Sequence, residues 1–333
     1  MSGGRRGCEL GARRRHGAHN AMNVIEAADV HRVLTFPTLV EAIRTTFGRP
    51  AGTPRRTLYQ LREDDPFHDA FAVLPAWSAD VIGVKAFTYL PSNAPKGRPV
   101  LHSKILLFDR DTGAPLALVD GTSVTLWRTA AVSALAADYL ARGDAKCLLV
   151  CGTGNLAPYM TLAHASVRSY DDIAIWGRNA DKAAAVAKAV SARRPDLRVR
   201  VVTDLEAAAR AADVISCATA SKQPVILGAW VKPGTHTDFI GNHERMHRET
   251  DTDLVVKSRV YVDSRANTMN EAGEILLPIQ EGRITDDHVI AELADLCSGR
   301  AAGRERDDDT TLFKSVGTAL SDLAAAHLVT QRQ

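Results

Sequence analysis

No run of 18 or more apolar residues occurs in the 333-residue sequence, so nothing in it reads as a membrane-spanning helix. Cysteine is scarce and unpatterned. The five (Cys8, Cys147, Cys151, Cys217, Cys297) are odd in number and form no Cys-x-x-Cys pair, which fits a reducing, cytoplasmic compartment better than a disulfide framework. A basic surface is also missing. The net charge is +2, but the first 20 residues hold five arginines against one glutamate, so the remainder stands near −2. Nucleic acid is therefore not the expected partner, because phosphate binding needs concentrated cations. There is no internal repeat either.

What is present suggests two domains, since 333 residues with 45% hydrophobic content exceed one ordinary core. Residues 1–21, arginine- and glycine-rich without apolar periodicity, read as a disordered tail or a leader ahead of Met22. A short amphipathic helix follows from Thr35 to Gly48, with Leu39, Val40, Ile43 and Phe47 at helical spacing and Pro37 in the first turn. Closely spaced β-type runs come next (Asp69 to Pro75, Val81 to Tyr89, Val100 to Phe108, Pro115 to Val119), broken by turn residues, and predict an antiparallel or mixed sheet. An alanine-rich helix over 122–141, opened by Thr122 or Ser123, leads out of this unit.

From Lys146 the pattern alternates strand and helix, which predicts a parallel α/β sheet. Its strands fall at the run after Lys146, Ile173 to Trp176, Val199 to Val202, Val214 to Ala218 and Val260 to Asp263. The first turn reads Gly152-Thr153-Gly154-Asn155-Leu156-Ala157, a G-x-G-x-x-A between an apolar strand and a helix. In that context Gly152 makes the tight turn, Gly154 lets backbone approach a pyrophosphate, and Ala157 permits close packing; the helix N-terminus, with Asn155, faces the phosphates. A plain strand-turn-helix could look similar, but the βα units that follow favour a dinucleotide. At the end of the second strand stand Arg178 and Asn179 with no acidic residue, which favours NADP(H) over NAD(H). Arg178 could instead be an ordinary solvated cation.

The blocks Val84-Lys85-Ala86-Phe87, Pro91-Ser92-Asn93, Leu106-Leu107-Phe108-Asp109, Thr112-Gly113-Ala114-Pro115 and Leu126-Trp127-Arg128-Thr129, followed by Gly273-Glu274, Ala291-Glu292-Leu293 and Phe313-Lys314-Ser315-Val316-Gly317, occur in an order that resembles the ornithine cyclodeaminase/mu-crystallin family from about residue 22 to 329. The resemblance implies an α/β fold with a Rossmann dinucleotide-binding domain (131–314). It also implies an α+β substrate and dimerisation domain made of residues 22–130 and 315–333, and a homodimer. The shared chemistry is hydride transfer between a nicotinamide and the α-carbon of a small amino or imino acid. Carried over by position, the substrate-carboxylate cations are Arg56 (with Arg55 as neighbour), Lys85 and Arg128, and Ser315 is a further substrate contact. His102, Thr219 and Val316 are implied cofactor neighbours. Charge chemistry agrees, since a carboxylate suits a guanidinium fork and a point charge held away from water.

The resemblance departs at Gly241-Asn242-His243-Glu244-Arg245-Met246-His247. Ornithine cyclodeaminases place an Asp where this chain has His243, and a Lys where it has His247. Deamination with ring closure is therefore disfavoured, while imine reduction needs only a proton donor, which a His can be. The expected catalytic groups are Lys85 and His243, with His247 a substitute if it lies one helical turn away. A metal held by His236, His243 and His247 is not expected, because no Cys joins them. The rival readings are a cyclodeaminase and a non-catalytic crystallin-like binder.

Overall fold

Apolar residues alternate through the first strand-rich region, and that period builds a sheet with one buried face. The computed structural model describes residues 22–64 and 67–332; the tail over 1–21 lies outside them. Six strands, β1 (Asn23–Ile25), β2 (Thr57–Gln60), β3 (Ala70–Trp77), β4 (Val81–Tyr89), β5 (Leu101–Asp109) and β6 (Pro115–Asp120), lie in the order β1-β6-β5-β4-β3-β2. Only β1 and β6 pair in parallel, so the sheet is mixed. In β3 the buried residues are Ala70, Ala72, Leu74 and Ala76. In register with them, Gly83, Lys85, Ile105 and Leu107 face the C-terminal helix Ala319–Thr330. The opposite face carries a row from Pro75 through Val84 and Leu106 to Leu118, apolar throughout and only half-buried. The helix expected over 35–48 is Phe36–Phe47, with Thr35 and Gly48 as its caps.

The long helix Gly121–Leu140 is capped by Asp120, whose carboxylate accepts from the Ser123 N–H at 2.8 Å, so it opens two residues before Ser123. It runs unbroken through residue 130 and packs against strands of both sheets. The second sheet contains β7 (Cys147–Cys151), β8 (Asp172–Trp176), β9 (Val199–Val202), β10 (Val214–Cys217), β11 (His236–Phe239), β12 (Arg259–Val262), β13 (Val289–Glu292) and β14 (Thr311–Lys314). All pairings are parallel, in the order β13-β12-β14-β11-β10-β7-β8-β9. Every residue of β10, β11 and β14 is buried, as expected for strands covered on both faces. Strand order reverses between β7 and β10. In an open parallel sheet that switch point leaves a crevice beyond the carboxyl ends of the strands, where ligands bind.

Candidate active site

The turn after β7 has the geometry that its glycines predict. Gly152 has φ +128°, and a Cβ there would press on the Ala218 carbonyl oxygen at 2.5 Å; only glycine permits the turn. At Gly154 a Cβ would meet nothing within 4 Å, so the backbone is open to an approaching pyrophosphate. Ala157 begins the following helix and is fully buried against the sheet. These residues fit a dinucleotide. Arg178 follows β8, is exposed, and among the described residues makes no ion pair or hydrogen bond. Asn179 is an N-cap, its side chain accepting from the Lys182 N–H at 2.9 Å.

A cavity of about 900 Å³ opens between the two sheets at this crevice. Arg56, Lys85 and Arg128 all line it, although they come from a loop, a strand and a helix. Two carboxylates hold them. Asp322 of the C-terminal helix receives Lys85 Nζ at 2.9 Å and Arg128 Nε at 3.1 Å on the same oxygen, and Lys85 Nζ also donates to the Thr125 hydroxyl at 2.6 Å. Glu271 accepts Arg56 Nε at 2.9 Å and makes a second contact with the other side of the guanidinium. These five groups by themselves carry one net positive charge, which a substrate carboxylate would balance, with Asp263 acting on Arg56 from nearby. Arg55 also lines the cavity but is exposed.

Burial, with Arg128 and Arg56 nearby, lowers the Lys85 ammonium below the ordinary lysine range, against the pull of Asp322. For Asp322, burial is outweighed by Arg128 and Lys85, and its carboxyl falls below the usual value. Thr219, His243, Ser315 and Val316 line the same cavity. His243 lines the cavity with much of its surface exposed; the protein packed around its ring and then Arg56 lower its pKa. The Ser315 hydroxyl donates to Asp263 at 2.7 Å, and the N–H groups of Val316 and Gly317 reach the same oxygen. Asp263 thus shapes the loop after β14.

Two expected neighbours are not brought in. His102 sits exposed on β5, pairs with Thr88, and does not line the cavity; its place in the alternation puts it on the sheet face away from Lys85. Residues 240–249 form turns rather than a helix, so His247 is not one helical turn from His243 and does not line the cavity. Asp322, Glu271, Asp263 and Glu249 were not among the sequence candidates. Their partners lie far along the chain, 194 residues apart for Arg128 and Asp322, and no local spacing announces them.

Comparison with known proteins follows the same outline. The sequence profile of the ornithine cyclodeaminase/mu-crystallin family matches residues 20–333. Delta(1)-pyrroline-2-carboxylate reductase of Colwellia psychrerythraea is 48% identical over 93% of this chain and 99% of its own length. Ketimine reductase mu-crystallin of Rattus norvegicus is 33% identical over 89% of this chain and 91% of its own. Among solved structures, Delta(1)-pyrroline-2-carboxylate reductase of Thermococcus litoralis in complex with NADH and L-proline superposes with a TM-score of 0.87, at 32% identity, covering 93% of this chain and 97% of that one.

Proposed function

The chain belongs to the ornithine cyclodeaminase/mu-crystallin family, and on that premise we propose that it is an NAD(P)H-dependent reductase of a small cyclic α-imino acid of the pyrroline-2-carboxylate type. The observation that carries this reading is the convergence of Arg56, Lys85 and Arg128 on a cavity that opens at the carboxyl ends of the parallel strands, beside the Gly152 turn. Lys85 and Arg128, braced by Asp322, hold the substrate carboxylate. The walls around them include Ala70, Leu74, Phe87 and Ile240, which suit a hydrocarbon ring and exclude water from the imine. The reduced nicotinamide, when bound, supplies a hydride to the imine carbon. His243 and Lys85 are our candidates for the proton donor among the proton-bearing groups that face the same space, which include His68 and Tyr89, and one proton delivered to nitrogen completes the amine. The test is stoichiometric loss of absorbance at 340 nm when NADPH or NADH is mixed with pyrroline- or piperideine-carboxylate. Ammonia release from ornithine without net cofactor consumption would replace this reading with the cyclodeaminase one.

NADP(H) is the cofactor we expect to bind more tightly. Among the described residues Arg178 is unpaired at the end of β8, and Gly177-Arg178-Asn179 offers no carboxylate to a ribose 2′-hydroxyl. Arg178→Ala should weaken NADPH roughly 10- to 100-fold, the size of a lost charge-assisted phosphate contact, and leave NADH almost unchanged. Equal losses for both in a binding titration would remove the preference.

We also propose a homodimer built on the uncovered face of the six-stranded sheet. A continuous apolar row through Val84 and Leu106 is the kind of surface that associates. Leu106→Asp places a charge in its middle and should convert a dimer to a monomer by light scattering; a wild-type chain that is monomeric at micromolar concentration would refute the assignment.

A further inference from the structure

Glu249 is fully buried on the segment leading to the helix Thr252–Lys257, and its carboxylate joins two parts of the cavity wall. Oε1 accepts from the Thr219 backbone N–H at 2.6 Å and the Thr219 hydroxyl at 2.7 Å, while Oε2 accepts from the Gly241 N–H at 2.7 Å. Thr219 stands after β10 and Gly241 after β11; both line the cavity. The loops are in contact, since a Cβ at Gly241 would collide with the Thr219 backbone. The clasp is anchored from behind. The Glu249 N–H donates to Glu274 Oε1 at 3.0 Å, Glu274 Oε2 pairs with Lys314 Nζ at 2.9 Å, and Lys314 Nζ donates to the Asn242 carbonyl at 2.7 Å. The segment bearing His243 is therefore fixed at Gly241, Asn242 and Glu249.

Burial, reinforced by Glu274 and opposed by Lys314 and the Thr219 bonds, pushes the Glu249 carboxyl up to about 8, whereas three donors aimed at its two oxygens are the arrangement of the ionised form; the clasp is therefore complete when Glu249 is ionised and loses one acceptor when it holds a proton. A buried carboxylate carries a desolvation cost, and here it sits where two loops must meet. A dinucleotide whose pyrophosphate lies on the Gly152 turn and whose adenine half lies towards β8 extends its nicotinamide half across β10. We propose that Glu249 is a positioning residue for the nicotinamide end: by clasping the loops after β10 and β11, it sets where Thr219 and His243 stand relative to the substrate cations. This rests on the reductase reading of the cavity.

Glu249→Gln keeps the shape but turns an N–H₂ towards a backbone N–H, so one arm of the clasp is lost. Titrated by fluorescence, NADPH and NADH should bind about tenfold more weakly to this variant, while ADP-ribose, which lacks the nicotinamide, should bind within twofold of wild type. Imine reduction should fall about 10- to 100-fold through misplacement of the reacting groups, and the isotope effect from cofactor deuterated at nicotinamide C4 should rise. Thr219→Val removes one donor while leaving the Glu249 carboxyl and its two backbone donors in place and should give a weaker version of the same pattern. Combined with Glu249→Gln, it should add less than the sum. If Glu249→Gln does not fold, Thr219→Val alone decides the comparison. Equal weakening of ADP-ribose and the dinucleotides, or no weakening of either, overturns the clasp. A wild-type chain that binds the nucleotides but reduces no cyclic imino acid overturns the reductase reading alone, and the binding comparison still judges Glu249.

Discussion

Arg128→Ala is expected to lower kcat/KM for the cyclic imino acid roughly 10²- to 10⁴-fold while changing the affinity for NADPH less than about twofold. Arg128 stands on the cavity wall with its Nε committed to Asp322 and its outer nitrogens beside Gly317, which lines the same cavity. Truncation leaves the substrate carboxylate facing a smaller positive charge in a partly dry site. Breaking such a pair typically costs roughly 3–5 kcal/mol, the free-energy equivalent of the stated rate loss. Arg128→Lys should recover little, because an ammonium cannot reproduce a planar fork fixed by a carboxylate behind it. Nucleotide affinity is the control, since the Arg128 side chain is tied to Asp322 and not to the turn from Gly152 to Ala157. A variant with unchanged KM and kcat would sink the carboxylate role and, with it, the main support for an imino-acid substrate.

How much of this could be read from the sequence depended on whether the signal was local. The glycine turn and the alternating βα units announced the parallel sheet because each needs only a dozen neighbouring residues. Strands β11, β13 and β14 carry no such local signal. His236-Thr237-Asp238-Phe239 looks too polar for a central strand, yet it is wholly buried, with His236 bonded to the Thr311 hydroxyl and Asp238 accepting from Ser133 and Ser216. Buried polar groups tolerate such a place once paired, and the partners lie up to 105 residues away. The same distance effect hid Asp322. An acid within the apolar run Ala319 to Ala326 was the available sign, since a charge is seldom buried without an opposite charge. His102 failed in the other direction. With Ser103 and Ile105 facing inward on β5, period-two alternation alone would have sent His102 to the outer face, and the family position prevailed over that simpler argument.

The proton supply gives the last expected result, because Lys85 and His243 lose their protons in the same direction but from different starting values. Burial and Arg56 lower the His243 pKa below its ordinary 6.5, so its acid form is lost as pH rises through a value below 6.5. Lys85 is also lowered, by burial and the neighbouring arginines, but from 10.5, and Asp322 keeps it cationic further up the scale. A rate that depends on protonated His243 must therefore decline with pH from below about 6.5, whereas one that depends on Lys85 alone holds its plateau and declines later. We expect His243→Ala to lower kcat roughly 10²- to 10⁴-fold near pH 6, the usual worth of a placed general acid. The gap from wild type should narrow with rising pH, as the wild-type enzyme loses the same proton. Lys85→Met should instead lose activity at every pH, because it removes a carboxylate contact as well as a proton. Wild-type rates for His243→Ala at pH 6, with an unchanged profile, would remove His243 from the reaction and leave Lys85, poised between Asp322 and Thr125, as the proton source.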